Sequence, residues 1–168
     1  MNIAVDVMGG DHAPAEIVHG VLQAAPFINT NLLLVGQPDA IERHLGSLRP
    51  TNVEIVPAHE IIEMHEKPLE ALRKKKDSSM VVAANLVKEG RGGAMVSAGN
   101  TGAATAASLL AWRQIQGIHR PAIGSLIPSR GNGFLLLDAG ASPDVDPEHL
   151  VEFGVMARAY MEKVEGRE

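Results

Sequence analysis

Cysteine is absent from the 168-residue sequence, which excludes thiol nucleophiles, thiolate metal ligands and disulfide bonds. Aromatic residues make up only 3% of the chain, so platforms on which nucleic-acid bases stack are scarce. The formal net charge of -5 repels a polyphosphate backbone over most of the surface. We therefore expect no nucleic-acid partner, only local sites for anions, and a cytoplasmic protein.

Long hydrophobic runs are also missing. The longest nearly apolar run, residues 103–112, is interrupted by Thr105 and Ser108 and has about half of the roughly 20 residues that a spanning helix needs. The N-terminus carries Asp6 and Asp11, where a secretory signal would have a basic start and an unbroken apolar stretch. We expect no membrane-spanning segment and no cleaved leader.

The composition that remains is that of a globular protein, with 45% hydrophobic and 21% charged residues. The length is close to the roughly 150 residues of a typical domain. Neither a linker nor a repeat interrupts the chain, so we expect residues 1–168 to form a single α/β domain.

Short apolar runs alternate with helical patterns along the sequence. The first three runs are too far apart for hairpins and suit parallel strands joined by crossover helices. Turn residues at 128–133 instead predict a hairpin, and therefore a mixed sheet in a Rossmann-like, three-layer α/β/α fold. The predicted strands are 2–8, 32–35, 53–56, 94–98, 122–127 and 134–137, and the predicted helices begin near 14, 38, 68, 78, 101 and 147.

The last predicted helix has a clear start signal and an apolar stripe. Asp146 and Pro147 fit the N-cap and first helical position. At helical spacing the stripe contains Leu150, Phe153, Ala157, Tyr160 and Val164.

Ligands of open α/β sheets bind beyond the carboxyl ends of the strands, and polar loops follow three strands here. After the first strand, Asp6 is followed by Gly9 and Gly10, which allow close backbone approach, and by Asp11 and His12. His12 is the candidate residue for handling a proton or stabilising an oxyanion, with Asp11 orienting it or stabilising its charge. The alternative is a tight turn in which Asp11 caps the following helix.

The loop after the fourth strand, residues 97–102, is a candidate phosphate cradle. A strand that enters a helix through small residues points unpaired N–H groups at the loop mouth. The candidate phosphate-binding residues are Ser97, Gly99, Asn100, Thr101 and Gly102. The same residue types also suit an ordinary strand-to-helix turn and its cap.

Two further features have a functional and a structural interpretation. Asp138 follows an apolar strand, so its carboxylate is either functional or bonded to loop amides. The basic run Arg73 to Lys76 is either a solvated helix end or a contact for an anionic partner.

Several common chemistries lack their motifs. Neither the Walker A loop nor the dinucleotide fingerprint occurs, and the serine-hydrolase elbow is absent. The polar segment 59–65 lacks the spacing of a zincin metal site. The acidic segment 144–149 is better explained by helix capping than by metal binding. We expect no bound metal and no cofactor.

The strand-end motifs together resemble the PlsX family of acyl-acyl-carrier-protein:phosphate acyltransferases. The resemblance rests on DVMGGDHAP at 6–14, KKDSSM at 75–80, VSAGNTGA at 96–103, LLDAGA at 136–141 and PEHL at 147–150. It covers nearly the whole chain in order. Family chains are about twice as long, and this sequence resembles their N-terminal half.

The resemblance implies a fold like that of isocitrate and isopropylmalate dehydrogenases. It also implies transfer of a fatty acyl group from acyl carrier protein to inorganic phosphate, for phospholipid synthesis, in a homodimer that associates peripherally with the membrane. The expected catalytic residues are His12, Asp6, Asp11 and Asp138 around one cleft. An acidic carrier makes Lys74, Lys75 and Lys76 candidate docking residues. The alternatives are an inactive or partner-dependent carrier-binding half-domain, or another phosphate-ligand enzyme on a related fold.

Overall fold

A four-stranded parallel sheet lies at the centre of the first of two units in this computed structural model. The structure describes residues 1–47, 49–142 and 144–167, and the units are Met1–Arg113 and Gln114–Glu168. The strand order is β3-β2-β1-β4. The strands are β1 (Asn2–Asp6), β2 (Asn31–Gly36), β3 (Val53–Pro57) and β4 (Ala94–Ser97).

Helices cover both faces of this sheet, because alternate strand residues point to opposite sides. The helices of the first unit are α1 (Ala15–Ala24), α2 (Pro38–Leu45), α3 (Pro68–Lys74), α4 (Ser79–Lys88) and α5 (Thr101–Trp112). On one face Val5 and Leu34 pack with Val18 of α1 and Ile41 of α2. On the other face Ala4, Leu33 and Val35 pack with Ala83 and Leu86 of α4. The expected three-layer α/β class is confirmed.

The direction of chain winding reverses between β1 and β4. The chain steps outward from β1 to β2 and β3, and then crosses to the other side of β1 to form β4. In the register, Asp6 at the end of β1 lies beside Ser97 at the end of β4. Ligand crevices of open α/β sheets lie at such a reversal point, outside the carboxyl ends of the strands.

Helix starts follow the sequence signals closely. Ser78 caps α4 by accepting from the Val81 N–H at 3.4 Å, and Asn100 caps α5 by accepting from the Ala103 N–H at 3.0 Å. At α1 the N-cap is Pro14, which makes no side-chain capping bond. The alternative in which Asp11 caps this helix is therefore wrong.

The second unit contains an antiparallel hairpin and a long helix. β5 (Gly124–Ile127) pairs only with β6 (Phe134–Leu137) among the described strands, and α6 spans Pro147–Lys163. The expectation of one mixed sheet is wrong, because the hairpin forms its own two-stranded sheet. The turn of a hairpin brings its two strands together, so the local sequence predicts their pairing. It does not specify whether the hairpin joins another sheet. The single-domain expectation stays a prediction.

The apolar stripe of α6 is mostly exposed. Phe153 is buried, whereas Leu150 and Val164 are 59% and 63% exposed. The start of α6 follows the prediction, since Asp146 and His149 form a reciprocal capping box. Within the described part of the chain, every helix falls short of the length and apolar character that a bilayer-spanning helix needs.

A carboxylate clamp joins His119 to α6 within the second unit. Glu152 Oε1 lies 2.5 Å from His119 Nδ1, and Glu152 Oε2 accepts from the His119 N–H at 2.9 Å. The hydrogen bond between the two side chains raises the pKa of His119 and lowers the pKa of Glu152. The contribution of protonated His119 to the stability of the fold is fully present below pH 6.5, its ordinary pKa. This contribution is lost as the pH rises through the raised pKa. The contribution of ionised Glu152 is present above pH 4.5, its ordinary pKa, and is lost as the pH falls through the lowered pKa.

We expect Glu152→Gln to lower the pKa of His119 toward its ordinary value, because the ion-paired hydrogen bond is removed. An NMR titration of the His119 imidazole measures this pKa directly. Glu148→Gln is the matched control, since Glu148 acts on His119 only through its charge and more weakly. A His119 titration that is unchanged by Glu152→Gln would show that the clamp does not form in solution.

Candidate active site at the ends of strands β1 and β4

Two glycine loops meet where the chain reverses between β1 and β4. A Cβ atom built on Gly9 would lie 3.0 Å from both the Cα and the N of Gly99. A Cβ on Gly10, whose φ is +118°, would lie 3.2 Å from the carbonyl oxygen of Ala98. The two loops therefore touch backbone to backbone, as the glycines after β1 predicted.

A short chain of hydrogen bonds links the two strand ends beneath these loops. Ser97 Oγ donates to Asp6 Oδ2 at 2.7 Å and accepts from the Gly99 N–H at 3.0 Å. The single hydroxyl proton of Ser97 is thus directed to Asp6. Ser97 shapes the loop, and in this arrangement it has no proton to offer a ligand.

Asp6 is a buried carboxylate with an incomplete set of partners. It is 1% exposed, and its Oδ1 has no hydrogen-bond partner among the described residues. An unpaired buried acceptor is unfavourable for folding by about 1–3 kcal/mol. Such a cost, at the reversal point of the sheet, marks Asp6 as a candidate functional residue.

Asn100 ties the start of α5 to the segment that follows β3. Its Oδ1 caps the helix, while its Nδ2 donates to the carbonyls of Glu63, Met64 and Glu66 at 3.0–3.3 Å. Both ends of the amide are therefore used inside the protein. Asn100 holds the candidate cradle in shape and has no free donor in this arrangement.

The donors that remain for an anion are at the first turn of α5. The helix provides no internal acceptor for the N–H groups of Thr101 and Gly102, and Thr101 is exposed. Gly102 also has a packing role, because an added Cβ would lie 2.8 Å from Pro68 Cγ. The structure thus brings the five predicted cradle residues into one turn, in which Thr101 and Gly102 have available donors.

The two residues after Gly10 lie on the surface. Asp11 and His12 are both exposed, and no hydrogen bond of the described residues joins their side chains. The expected orientation of His12 by Asp11 therefore has no contact that supports it. His12 stays a candidate catalytic residue because it lies two residues after Gly10, at the loop that contacts Ala98.

Asp138 belongs to the second unit and is bonded to its own loop. Its carboxylate accepts from the Ser142 N–H at 3.2 Å and from Ser142 Oγ at 3.1 Å. Its backbone has a φ of +70°, which is uncommon for a residue with a side chain. The structural interpretation, a carboxylate bonded within its loop, is the one these contacts describe.

The three lysines of the basic run have different environments. Lys74 and Lys76 are exposed, whereas the ammonium of Lys75 contacts Glu66 Oε2 and the Ile61 carbonyl, both at 2.5 Å. The hydrogen bond from Lys75, and then that from the Glu63 N–H, hold the pKa of Glu66 below its usual range. Sequence reasoning missed Glu66, and no signal in the segment 58–67 distinguishes it from its acidic neighbours.

Lys76 also borders a shallow apolar groove between α3, α4 and α5. The groove has a volume of about 180 Å³ and is lined by Leu72, Lys76, Val81, Ala84, Lys88 and Leu110, among others. Two lysines and several apolar side chains therefore line one groove. This combination is suited to an acidic partner with apolar side chains.

These features define the first unit as a Rossmann-like α/β protein whose candidate ligand site lies where β1 and β4 end. The site offers backbone donors at a helix N-terminus, a buried carboxylate and no thiol. Such an arrangement can bind and orient an anion without forming a covalent enzyme intermediate.

Comparison with known proteins agrees with this class. The family described as "Fatty acid synthesis protein" matches residues 1–168, and the chain belongs to this family. It is 53% identical over 168 residues to the phosphate acyltransferase of Desulfitobacterium hafniense strain Y51, covering 99% of this chain and 50% of the relative. It is 52% identical to that of Heliobacterium modesticaldum and 46% identical to that of Listeria innocua, covering 50% and 49% of those proteins. The chain spans about half the length of the curated relatives it matches.

Proposed function

We propose that this chain carries the phosphate-binding part of an enzyme that transfers a fatty acyl group from acyl carrier protein to inorganic phosphate. The observation that carries the proposal is the contact of the Gly9 and Gly99 loops at the reversal point of the sheet, beside the free N–H groups of α5. The names of the relatives, phosphate acyltransferase, support this substrate and this reaction.

The proposed reaction needs positioning more than covalent catalysis. A phosphate oxygen attacks the thioester carbonyl carbon, a C–O bond forms, and the C–S bond breaks. The carrier thiolate leaves and takes up a proton, and its pKa near 8.5 makes strong acid assistance unnecessary. A covalent side-chain intermediate is not required, because the backbone N–H groups of Thr101 and Gly102 hold the phosphate that acts as nucleophile.

His12 is proposed as the residue that handles a proton or stabilises the oxyanion, because an imidazole can donate or accept near neutral pH. Asp11 is its proposed electrostatic partner, and Asp138, in the second unit, is proposed as a further catalytic residue. Asp6 is proposed to act through Ser97, since its buried carboxylate reaches the loop by way of that hydroxyl.

Docking of the carrier is proposed at Lys74 and Lys76. Both are exposed, and Lys76 borders the apolar groove, so an acidic carrier would meet charge and apolar surface together. We propose no docking role for Lys75, because its ammonium already pairs with Glu66. The resemblance further supports a homodimer in the cytoplasm that associates peripherally with the membrane.

A second candidate is a carrier-binding half-domain that needs another chain for activity. The observation that favours it is the groove lined by Lys76 and Lys88, which offers a carrier charge and apolar surface independently of any catalytic group.

One assay separates the two candidates. The chain is mixed with palmitoyl-loaded acyl carrier protein and inorganic phosphate, and acyl phosphate is trapped with hydroxylamine. We expect product from the wild type, a rise of roughly tenfold in KM for the carrier in Lys74→Glu/Lys76→Glu, and an unchanged KM for phosphate. Binding of the carrier without product would favour the half-domain, and neither binding nor product would reject both.

A further inference from the structure

Lys75 lies at the end of α3, with its side chain turned into the protein. The side chain is 27% exposed. Its ammonium donates to the Ile61 carbonyl and to Glu66 Oε2, which fastens both ends of the segment 61–66. Glu66 Oε2 also accepts from the Glu63 N–H at 2.8 Å, so the segment is closed on itself around one carboxylate oxygen.

The closed segment continues directly to the start of α5. Three of its carbonyls, those of Glu63, Met64 and Glu66, accept from the one amide group of Asn100. The oxygen of the same amide caps α5 at the Ala103 N–H. A continuous set of hydrogen bonds therefore runs from the Lys75 ammonium to the first turn of α5.

Position 75 needs a long cationic side chain, because one group there contacts both the Ile61 carbonyl and the Glu66 carboxylate. An ammonium carries three donors on a flexible stem, so it can serve a carbonyl and a carboxylate at once. An apolar side chain of similar length would leave Glu66 Oε2 without its cation and the Ile61 carbonyl without its donor. The three carbonyls that accept from the Asn100 amide belong to this closed segment, so opening it would weaken their hold on the residue that caps α5.

We propose that Lys75 is a positioning residue for the anion site, which it sets by fixing the segment 61–66 and, through Asn100, the first turn of α5. This inference rests on the proposed function for the identity of the ligand, inorganic phosphate. Lys75 then differs in role from its neighbours Lys74 and Lys76, although the three are consecutive in the sequence.

The test compares Lys75→Met with the matched control Lys74→Met in the full chain. Amide exchange measured by NMR reports the first turn of α5, and phosphorus NMR titration with inorganic phosphate reports the affinity. We expect Lys75→Met to accelerate exchange of the Ala103 amide and to raise the Kd for phosphate, each by roughly tenfold, because only part of the energy of the two lost hydrogen bonds is transmitted to α5. Lys74→Met should change neither.

Two further variants approach the same bond differently. Lys75→Arg keeps a cation and should recover most of the affinity, whereas Glu66→Gln removes the charge from the other side and should reproduce the weaker phosphate binding. Glu66→Gln also decides the matter if Lys75→Met does not fold. Urea unfolding of each variant separates a local change at α5 from a general loss of stability.

The outcomes distinguish this inference from the proposed function. Tight phosphate binding by the wild type, with unchanged affinity and Ala103 exchange in both Lys75→Met and Glu66→Gln, would overturn the inference alone. A rise in carrier KM without a change in phosphate affinity would return Lys75 to a docking role and also overturn it. No phosphate binding by the wild type would reject the anion site, and with it the role of Lys75 there.

Discussion

Alanine in place of Gly9 should lower the free energy of unfolding of the first unit by about 1–3 kcal/mol, the range for overpacking a tight site. The added Cβ would lie 2.5 Å from Asp6 Oδ2 and 3.0 Å from the backbone of Gly99. Neither neighbour can move easily, because Asp6 is held by Ser97 and Gly99 is itself backbone. Separation of the two loops should also raise the Kd for phosphate. Urea unfolding followed by the fluorescence of Trp112, the only tryptophan, measures the stability of this unit.

Gly20→Ala is the control for this prediction, since it adds the same methyl group where no atom beyond the neighbouring residues and the backbone of its own helix lies within 4 Å. Gly20 lies inside α1, so alanine there should stabilise the helix by roughly 0.5–1 kcal/mol. Opposite signs for the two substitutions would locate the effect in the loop contact. If Gly9→Ala were as stable as the wild type, the loops would not be in contact in solution.

The strands and helices of the first unit were largely predictable because local signals mark them. Apolar runs gave β2 and β3 to within one residue at each end, and Ser78 and Pro68 marked helix starts. The pairing of Asp6 with Ser97 was also within reach, since parallel strand ends meet at one edge of a sheet.

The hydrogen bonds that decide the role of each side chain were not predictable. Ser97 and Asp6 are 91 residues apart in sequence, and Asn100 bonds to residues 34–37 positions away. Their residue types make Ser97 and Asn100 candidate phosphate-binding residues, since a hydroxyl and an amide can both donate hydrogen bonds. Only tertiary contacts show that their donors are already used inside the protein.

The basic run illustrates the same limit. Composition treats Lys74, Lys75 and Lys76 as equivalent, and the acidic carrier implied by the family resemblance makes all three candidate docking residues. The helix ends at Lys74, so Lys75 leaves the helical path and turns toward Glu66, while its neighbours stay exposed. A difference of one position at a helix end thus separates a structural lysine from two surface lysines.

Asn100→Ala should destabilise the first unit by about 1.5–5 kcal/mol, from the loss of the cap and of about two amide hydrogen bonds. Loss of an N-cap costs roughly 0.5–2 kcal/mol, and each lost hydrogen bond to the partly buried carbonyls costs about 0.5–1.5 kcal/mol more. Both losses occur here, because the one amide caps α5 and serves three carbonyls. Urea unfolding with Trp112 fluorescence again provides the measurement, and phosphate affinity should fall with the loosened first turn.

Two variants separate the cap from the carbonyl contacts. Asn100→Asp keeps an oxygen for the Ala103 N–H but presents a second oxygen, in place of the amide, to the carbonyls of Glu63, Met64 and Glu66. Because oxygen repels oxygen there, we expect Asn100→Asp to remain clearly less stable than the wild type. Asn29→Ala, at an exposed position, should change stability by less than about 0.5 kcal/mol. Full stability in Asn100→Asp would mean that Asn100 contributes only its cap, and the link between the segment 61–66 and α5 would then carry no energy.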